Sequence, residues 1–373
     1  MAHVEDRWMV PGPNGRKVKS PRHGQGSRWL AVWHENDGRR RKRAFKTKDA
    51  AEAHLDHVGV ELRSGTYIAP ERALVSLGDV AERWFQEQVH QRATSLDVIR
   101  RRLDNTILPT LGDRRLSALD RTVIQAAVSG WTADGLAPST IHVAYVYLVG
   151  ICSLAVDERR IPVTPCRRIN LPRVEVVPVV PLTTAKVQEL TDALPYEYQR
   201  MAVLGAATGM RSGELRGLTW DRVTPVAGGA IIRVDRQMIS TRTHEPLWGP
   251  PKTPSSVRNI SVGEETLKSL GDPGEGLVLR TERGGAMTRP LASSVFRPAA
   301  DSVGIPRGSG WHELRHYHAS LLIARGSSPV AVAHRLGHKD AIETLRTYAH
   351  LWADDDERMR DATDGLIRLP DAA

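Results

Sequence analysis

The sequence predicts a multidomain protein: a small α+β N-terminal domain, an all-α middle domain, and a mainly α C-terminal domain with a small β-sheet. Three observations predict this. The chain has 373 residues, more than one typical domain, and an ordinary globular balance of 40% hydrophobic and 25% charged residues. The apolar pattern changes along the chain from strand-like runs to helical spacing and then to a mixture of the two. Finally, Leu171-Pro172-Arg173-Val174-Glu175-Val176-Val177-Pro178-Val179-Val180-Pro181 places three prolines in eleven residues. The prolines oppose a helix there, and residues 171–182 read as an extended connector, with an edge strand as the alternative.

The N-terminal domain is assigned to residues 1–70. Pro11-Gly12-Pro13-Asn14-Gly15 and Arg22-His23-Gly24-Gln25-Gly26 look irregular. Trp29–Trp33 and Arg43–Lys46 read as short strands around the turn Glu35-Asn36-Asp37-Gly38. A helix follows over Thr47–Arg63, with Thr47 as its N-cap. Residues 75–170 look wholly helical. Leu77, Val80, Ala81, Trp84 and Phe85 keep helical spacing, as do Ile99, Leu103 and Ile107, with Pro109, Gly112 and Pro138 as punctuation. Ser139-Thr140 is expected to cap a long apolar helix. Its stretch Ile141–Val156 is short for a bilayer and reads as a buried helix. Residues 183–373 are mostly helical, with strand-like runs at Ala230–Asp235, Val257–Val262 and Gly276–Leu279.

Charge narrows the function. The net charge is +9 and the isoelectric point about 9.8, which favours a polyanionic partner such as nucleic acid. Residues 1–65 hold 14 Lys/Arg against 8 Asp/Glu, so six of the nine surplus charges lie there. The run Arg39-Arg40-Arg41-Lys42-Arg43 sits inside this segment and is expected to touch DNA. Across the chain 43 Arg stand against 9 Lys. Arginine grips phosphate bidentately, although a GC-rich genome gives the same bias. Cys152 and Cys166 cannot by themselves form a disulfide framework or a structural zinc site, and they fit a reducing cytoplasm. The N-terminus lacks the apolar core of a signal peptide. With no GxxxxGK[ST] loop, ATP is not expected.

Three short motifs carry chemistry. In Trp311-His312-Glu313-Leu314-Arg315-His316, His312 and Arg315 are three apart and share a helix face. In Ala207-Thr208-Gly209-Met210-Arg211-Ser212-Gly213-Glu214-Leu215, an apolar helix ends at a glycine, and Glu214 is spaced to hold the Arg211 guanidinium. Leu336-Gly337-His338 precedes Tyr348 by ten residues, counted from His338. Singly, each reads more readily as a surface pair, a cap or a half-buried tyrosine. Together they suit attack on a phosphodiester. Two arginine forks can hold the non-bridging oxygens, and a tyrosine hydroxyl can serve as covalent nucleophile.

Taken in order, Arg211, Lys252 after a turn, His312-x-x-Arg315, Leu336-Gly337-His338 and Tyr348 resemble the tyrosine recombinase family, the phage integrases and their chromosomal relatives. The resemblance spans residues 183–352. Residues 75–170 resemble the family's helical core-binding domain, and residues 1–70, by pattern, the arm-type DNA-binding domain of the larger integrases. The resemblance implies the tyrosine recombinase catalytic fold over 183–373. It implies a site-specific recombinase that cuts and rejoins DNA through a 3′-phosphotyrosine, integrating and excising a phage genome or other mobile element. Tyr348 is then the nucleophile, and Arg211 and Arg315 clamp the scissile phosphate. His312 and His338 complete the pocket, and Glu214 supports Arg211. Lys252, in the turn between two strands, is the general acid. No metal or other cofactor is implied. The implied partners are double-stranded attachment sites, three further copies of the chain on DNA, an excision factor and a host DNA-bending protein, in the bacterial cytoplasm and with no membrane. The acidic tail Asp354-Asp355-Asp356-Glu357 reads either as a docking segment for a neighbouring protomer or as a solvated end. A DNA-binding regulator would need the basic surface but not these six residues. A type IB topoisomerase would share the chemistry but would have no use for an arm domain.

Overall fold

The computed structural model describes residues 2–12, 16–175, 177–240, 246–251, 253–352, 360–361 and 363–364. It divides into two compact units, residues 1–91 with 98–174 and residues 92–97 with 175–373.

The first unit opens with β1 (His3–Asp6), β2 (Met9–Pro11), β3 (Lys17–Lys19), β4 (Trp29–His34) and β5 (Arg40–Phe45). An antiparallel sheet runs in the order β1-β4-β5, and β2 and β3 pair as a separate ribbon. Helix α1 (Lys48–Ser64) follows. The Thr47 hydroxyl caps it by accepting the Ala50 N–H at 3.3 Å, and Gly65 ends it in the left-handed conformation. Ala31 and Trp33 pack with Ala51 and Val58 of α1 in one small core. Strand register sorts the basic run. Arg41 lies opposite Trp33 and Arg43 opposite Ala31, on the helix side of the sheet. Arg40 lies opposite His34 and Lys42 opposite Val32, on the other side. β1–β3 were not expected, because strands of three or four residues are too short for alternation to register. β5 begins three residues earlier than its apolar pattern suggests. As an edge strand it needs only backbone pairing with β4, which its charged side chains do not oppose.

The rest of this unit is helical: α2 (Leu77–Gln86), residues 98–102 of α3 (Ala93–Arg102), a π-helical turn over Leu103–Ile107, α4 (Leu108–Leu111), α5 (Arg121–Ala133) and α6 (Pro138–Asp157). Ser76 and Asp79 form a reciprocal capping box at α2. The cap of α6 is Ala137 rather than Ser139-Thr140. Pro138 occupies the first helical position, where its fixed φ and missing N–H carry no penalty. At 20 residues, α6 is long and apolar enough by composition to cross a membrane. The expectation of a buried helix holds for one face only. Ile141, Ala144, Leu148, Ile151 and Ala155 are buried, while Val143 and Val146 are exposed.

The second unit contains α7 (Thr184–Asp192), α8 (Tyr196–Thr208), α9 (Ser212–Arg216), β6 (Val223–Val226), β7 (Gly229–Val234), β8 (Gln237–Ser240), β9 (Pro246–Gly249), β10 (Arg258–Gly263), α10 (Glu264–Ser269), α11 (Arg289–Ser302), α12 (Glu313–Ala324), α13 (Pro329–Leu336) and α14 (Ala341–Tyr348). A three-stranded antiparallel sheet has the order β10-β7-β6. Its inward residues Ile232 and Ile260 join Met201 and Leu204 of α8, Phe296 of α11 and Leu314 of α12 in the main core. Two expectations are corrected. Gly276–Leu279 is no strand; Leu277 makes a single bridge to Thr219, and Val278 and Leu279 are buried as loop residues. The chain between β7 and β10 is no simple turn, because the hairpin β8–β9 intervenes. Lys252 lies outside the described residues, as does the acidic segment 354–357.

Candidate active site

Two helix C-termini organise the site. α8 ends at Gly209 with φ 65°, and α13 ends at Gly337 with φ 69°. Both glycines permit an approach that no other residue allows. A Cβ on Gly209 would stand 2.7 Å from side-chain atoms of Leu336 and His318. A Cβ on Gly337 would stand 2.9 Å from Arg258 Nη1 and 3.0 Å from Ser256 Cα. The carbonyls exposed at these ends carry the negative end of the helix dipole and gather guanidinium groups. Arg315 Nη1 donates to Gly209 O and to Leu336 O, each at 2.8 Å. Arg211 Nη2 donates to Gly337 O at 3.1 Å.

A buried carboxylate fixes the second anchor. The Arg211 N–H and Nη1 donate to Glu214 Oε2 at 2.9 Å and Oε1 at 3.0 Å, one turn along α9. Arg258 Nη2 donates to the same Oε2 at 3.0 Å. The Glu214 and Arg258 side chains are each only 1% exposed. Burial alone would raise the Glu214 pKa, but Arg258 and then Arg211 outweigh it and hold the carboxyl below its ordinary range. Arg258 also donates to Arg335 O at 2.9 Å and Ser256 O at 2.8 Å, which locks the start of β10 to the end of α13.

Arg315 is 2% exposed. Its Nη1 is doubly bonded, but its Nη2 is buried with no hydrogen-bond partner among the described residues. Burial, then the neighbouring Arg211, pushes its pKa down to about 9. A buried donor without an acceptor is costly and uncommon, and beside a second guanidinium it marks a seat for an anion.

Tyr348 closes the opposite side. It is 1% exposed and packs with Ala319, Ile323, Val332 and Leu336. Its hydroxyl meets His316 Nδ1 at 2.8 Å. Burial pushes the phenol up to about 12, although Arg315 pulls the other way. The His312 ring stands edge-on to His316 with centroids 4.7 Å apart. Its pKa is lowered by desolvation, then by His316 and Arg315, but the residue is exposed and solvent moderates that shift. His338 Nδ1 meets Thr344 Oγ1 at 2.6 Å, and burial followed by Arg315 lowers its pKa.

The structure thus brings Arg211, Glu214, His312, Arg315, His338 and Tyr348 into one unit, joined through shared bonds and mutual electrostatic influence. It does not place Lys252, which is outside the described residues. Sequence reading missed Arg258, Ser256, His316 and Thr344. Arg258 had a signal: it holds an inward position in the alternation Arg258, Ile260, Val262 of β10, where a charge requires a buried partner. His316 and Thr344 had none, because their roles depend on helix packing. In the basic run, Arg41 is engaged by Glu35 and Glu71, and Arg40 by Glu5 at 2.7 Å.

Comparison with known proteins agrees with this geometry. The phage integrase family model matches residues 181–354. A prophage phiRv2 integrase of Mycobacterium tuberculosis is 28% identical over 355 residues, covering 90% of this chain and 92% of the relative. In fold, the Tn1549 transposon integrase in complex with a circular intermediate DNA aligns at a TM-score of 0.67 and 19% identity, over 77% of this chain and 98% of that one. A lambda integrase dimer bound to a core site aligns at 0.59 and 17% identity, over 98% of both chains. With the arginine pair, the histidines and the tyrosine assembled at the ends of these helices, the chain is a site-specific recombinase of the tyrosine type, and its residues 181–354 match the phage integrase family.

Proposed function

We propose that Tyr348 attacks a scissile phosphate held by Arg211 and Arg315, giving a 3′-phosphotyrosine and a free 5′-hydroxyl. The observation that carries this reading is the buried Nη2 of Arg315, a donor with no acceptor among the described residues, in the unit that also holds Arg211 and Tyr348. Charge building on the non-bridging oxygens would be met by guanidinium groups already fixed by helix-end carbonyls and by Glu214, so little reorganisation remains for the reaction itself. His312 and His338, both driven toward the neutral form, line the same pocket. Lys252 protonates the leaving 5′-oxygen, the role that the resemblance to tyrosine recombinases implies for it. The phosphotyrosine bond keeps the energy of the broken linkage for rejoining.

The chain acts on double-stranded attachment sites. A lambda integrase tetramer bound to a Holliday junction shares the fold at a TM-score of 0.58 and 21% identity, over 84% of this chain and 92% of that one, and supports a four-protomer assembly here. An excision factor and a host DNA-bending protein complete the proposed set, and the reaction takes place in the cell interior. Of the expected DNA-binding residues Arg39, Arg40, Arg41, Lys42 and Arg43, we assign the principal role to Arg40 and Lys42. They share the sheet face away from α1 and are exposed, Arg40 with one carboxylate partner in Glu5, whereas Arg41 is half-buried and held by two carboxylates.

Tyr348→Phe tests the reading. On a nicked suicide substrate it should bind DNA as the wild type does and form no covalent adduct. A full yield of adduct from the variant would remove Tyr348 from the role.

A further inference from the structure

We infer that His316 is the base that receives the phenolic proton of Tyr348, through Nδ1, as the nucleophile attacks. The inference rests on the reading of Tyr348 as nucleophile. His316 directly follows Arg315 at the end of the motif Trp311–His316, where the sequence gives it no role of its own. It lies one helical turn beyond His312, however, so the two rings share a face of α12 and meet edge-on. From that face Nδ1 reaches the Tyr348 hydroxyl at 2.8 Å, inside the roughly 2.6–3.2 Å span that proton transfer needs. Among the neighbouring histidines, His312 meets the His316 ring edge-on rather than the hydroxyl, and two others are bonded elsewhere. His338 Nδ1 is bonded to Thr344 Oγ1, and His318 Nδ1 to Ala206 O at 2.9 Å. Among the described residues, His316 is the side chain bonded to this hydroxyl.

A base is required here. A phenol pushed up to about 12 is almost never ionised at neutral pH. Burial and then Arg315 hold the His316 pKa below its ordinary value, so the ring is neutral at pH 7 and Nδ1 can accept. The charged and titratable groups facing the pair are His312, Glu313 and Arg315 on α12, Glu343 on α14, and Arg211 and His338 around the pocket. His350, in the turn after α14, is bonded to Val179 O. The step balances. The O–H bond of Tyr348 breaks and its proton passes to Nδ1. The phenolic oxygen bonds to phosphorus, the bond from phosphorus to the 5′-oxygen breaks, and that oxygen takes a proton from the general acid. In rejoining, the imidazolium returns its proton to the departing tyrosine oxygen.

His316→Asn separates proton transfer from positioning. Its amide oxygen stands close to the place of Nδ1 and can accept the hydrogen bond, but it cannot take the proton. The readout is adduct formation on a suicide substrate, with DNA binding measured alongside. Expected are unchanged binding, a rate roughly 10²–10⁴-fold below wild type at pH 7, and a variant-to-wild-type ratio that rises with pH as hydroxide replaces the base. A variant at the wild-type rate, or one slowed equally at every pH, overturns the assignment. A second measurement uses the intact wild-type chain. Nitrogen-15 spectra of the histidine rings should show His316 carrying its proton on Nε2 at pH 7, and a proton on Nδ1 would also overturn it. If Tyr348→Phe still forms adduct, the underlying reading has failed. If Tyr348→Phe is dead and His316→Asn is unimpaired, only the base has.

Discussion

The side chain with the widest reach in the site is Glu214, which touches no substrate in the proposed reaction. It bonds Arg211 twice and Arg258 once from a position 1% exposed. Glu214→Gln would leave Arg258 buried without its counter-ion, a loss of about 3–5 kcal/mol by the behaviour of broken buried pairs, and would loosen Arg211. Urea unfolding should show this loss at pH 7, and adduct formation should fall with it. The pH dependence has a definite sign. The folded-state pKa of Glu214 lies below its unfolded value, so its stabilisation is complete above the ordinary carboxylate range and is lost as pH falls through the lowered value. The gap between variant and wild type should therefore narrow in acid. A gap that widens there would contradict the assignment. At this scale the sequence was legible where one residue type answers one need: the spacing of Arg211 and Glu214 foretold their bond. His316 was not legible, since nothing in one helix says that its neighbour will end in a tyrosine.

At the scale of elements, the candidate site is a meeting of helix ends. The carbonyls of α8 and α13 receive Arg315 and Arg211 because Gly209 and Gly337 turn the chain into the left-handed region there. Gly337→Ala should be costly twice over. Its φ of 69° costs a non-glycine residue about 1–3 kcal/mol, and its Cβ would press on Ser256 backbone and on Arg258. We expect a lower melting temperature and a larger proportional loss of cleavage than of DNA binding, because the carbonyl that aligns Arg211 would shift. Equal losses of both would argue for general unfolding instead. α1, its Thr47 cap, β4, β7 and β10 follow from periodicity and capping. The hairpin β8–β9 and the loop at Gly276–Leu279 were misread for opposite reasons: one lacks a clear alternation, and the other has an apolar run that simply fills the core.

For the whole molecule, the uneven charge is the feature that bears on partners. Six of the nine net positive charges lie in residues 1–65, and strand pairing puts Arg40 and Lys42 together on one face. The double variant Arg40→Ala/Lys42→Ala should cleave an isolated core site normally and recombine a complete attachment site poorly. The dependence of log affinity on log salt should become shallower by about 0.9 for each phosphate that the variant no longer neutralises. An unchanged salt slope with full recombination would make residues 1–65 a folding appendage. The division into an N-terminal sheet, helices and a mixed C-terminal unit was legible from composition and periodicity.

The unsatisfied nitrogen of Arg315 also links stability to occupancy. A buried, charged donor left without an acceptor costs about 1–3 kcal/mol or more, and Arg315 Nη2 has none among the described residues. Whatever seats a phosphate there relieves it, so the free energy of unfolding of this unit depends on the concentration of its substrate, growing by about 2.7 kcal/mol at a hundredfold excess over Kd. DNA bearing the site should therefore slow proteolysis of the chain, and a cleavage rate by protease that ignores added site DNA would count against a phosphate seat at Arg315.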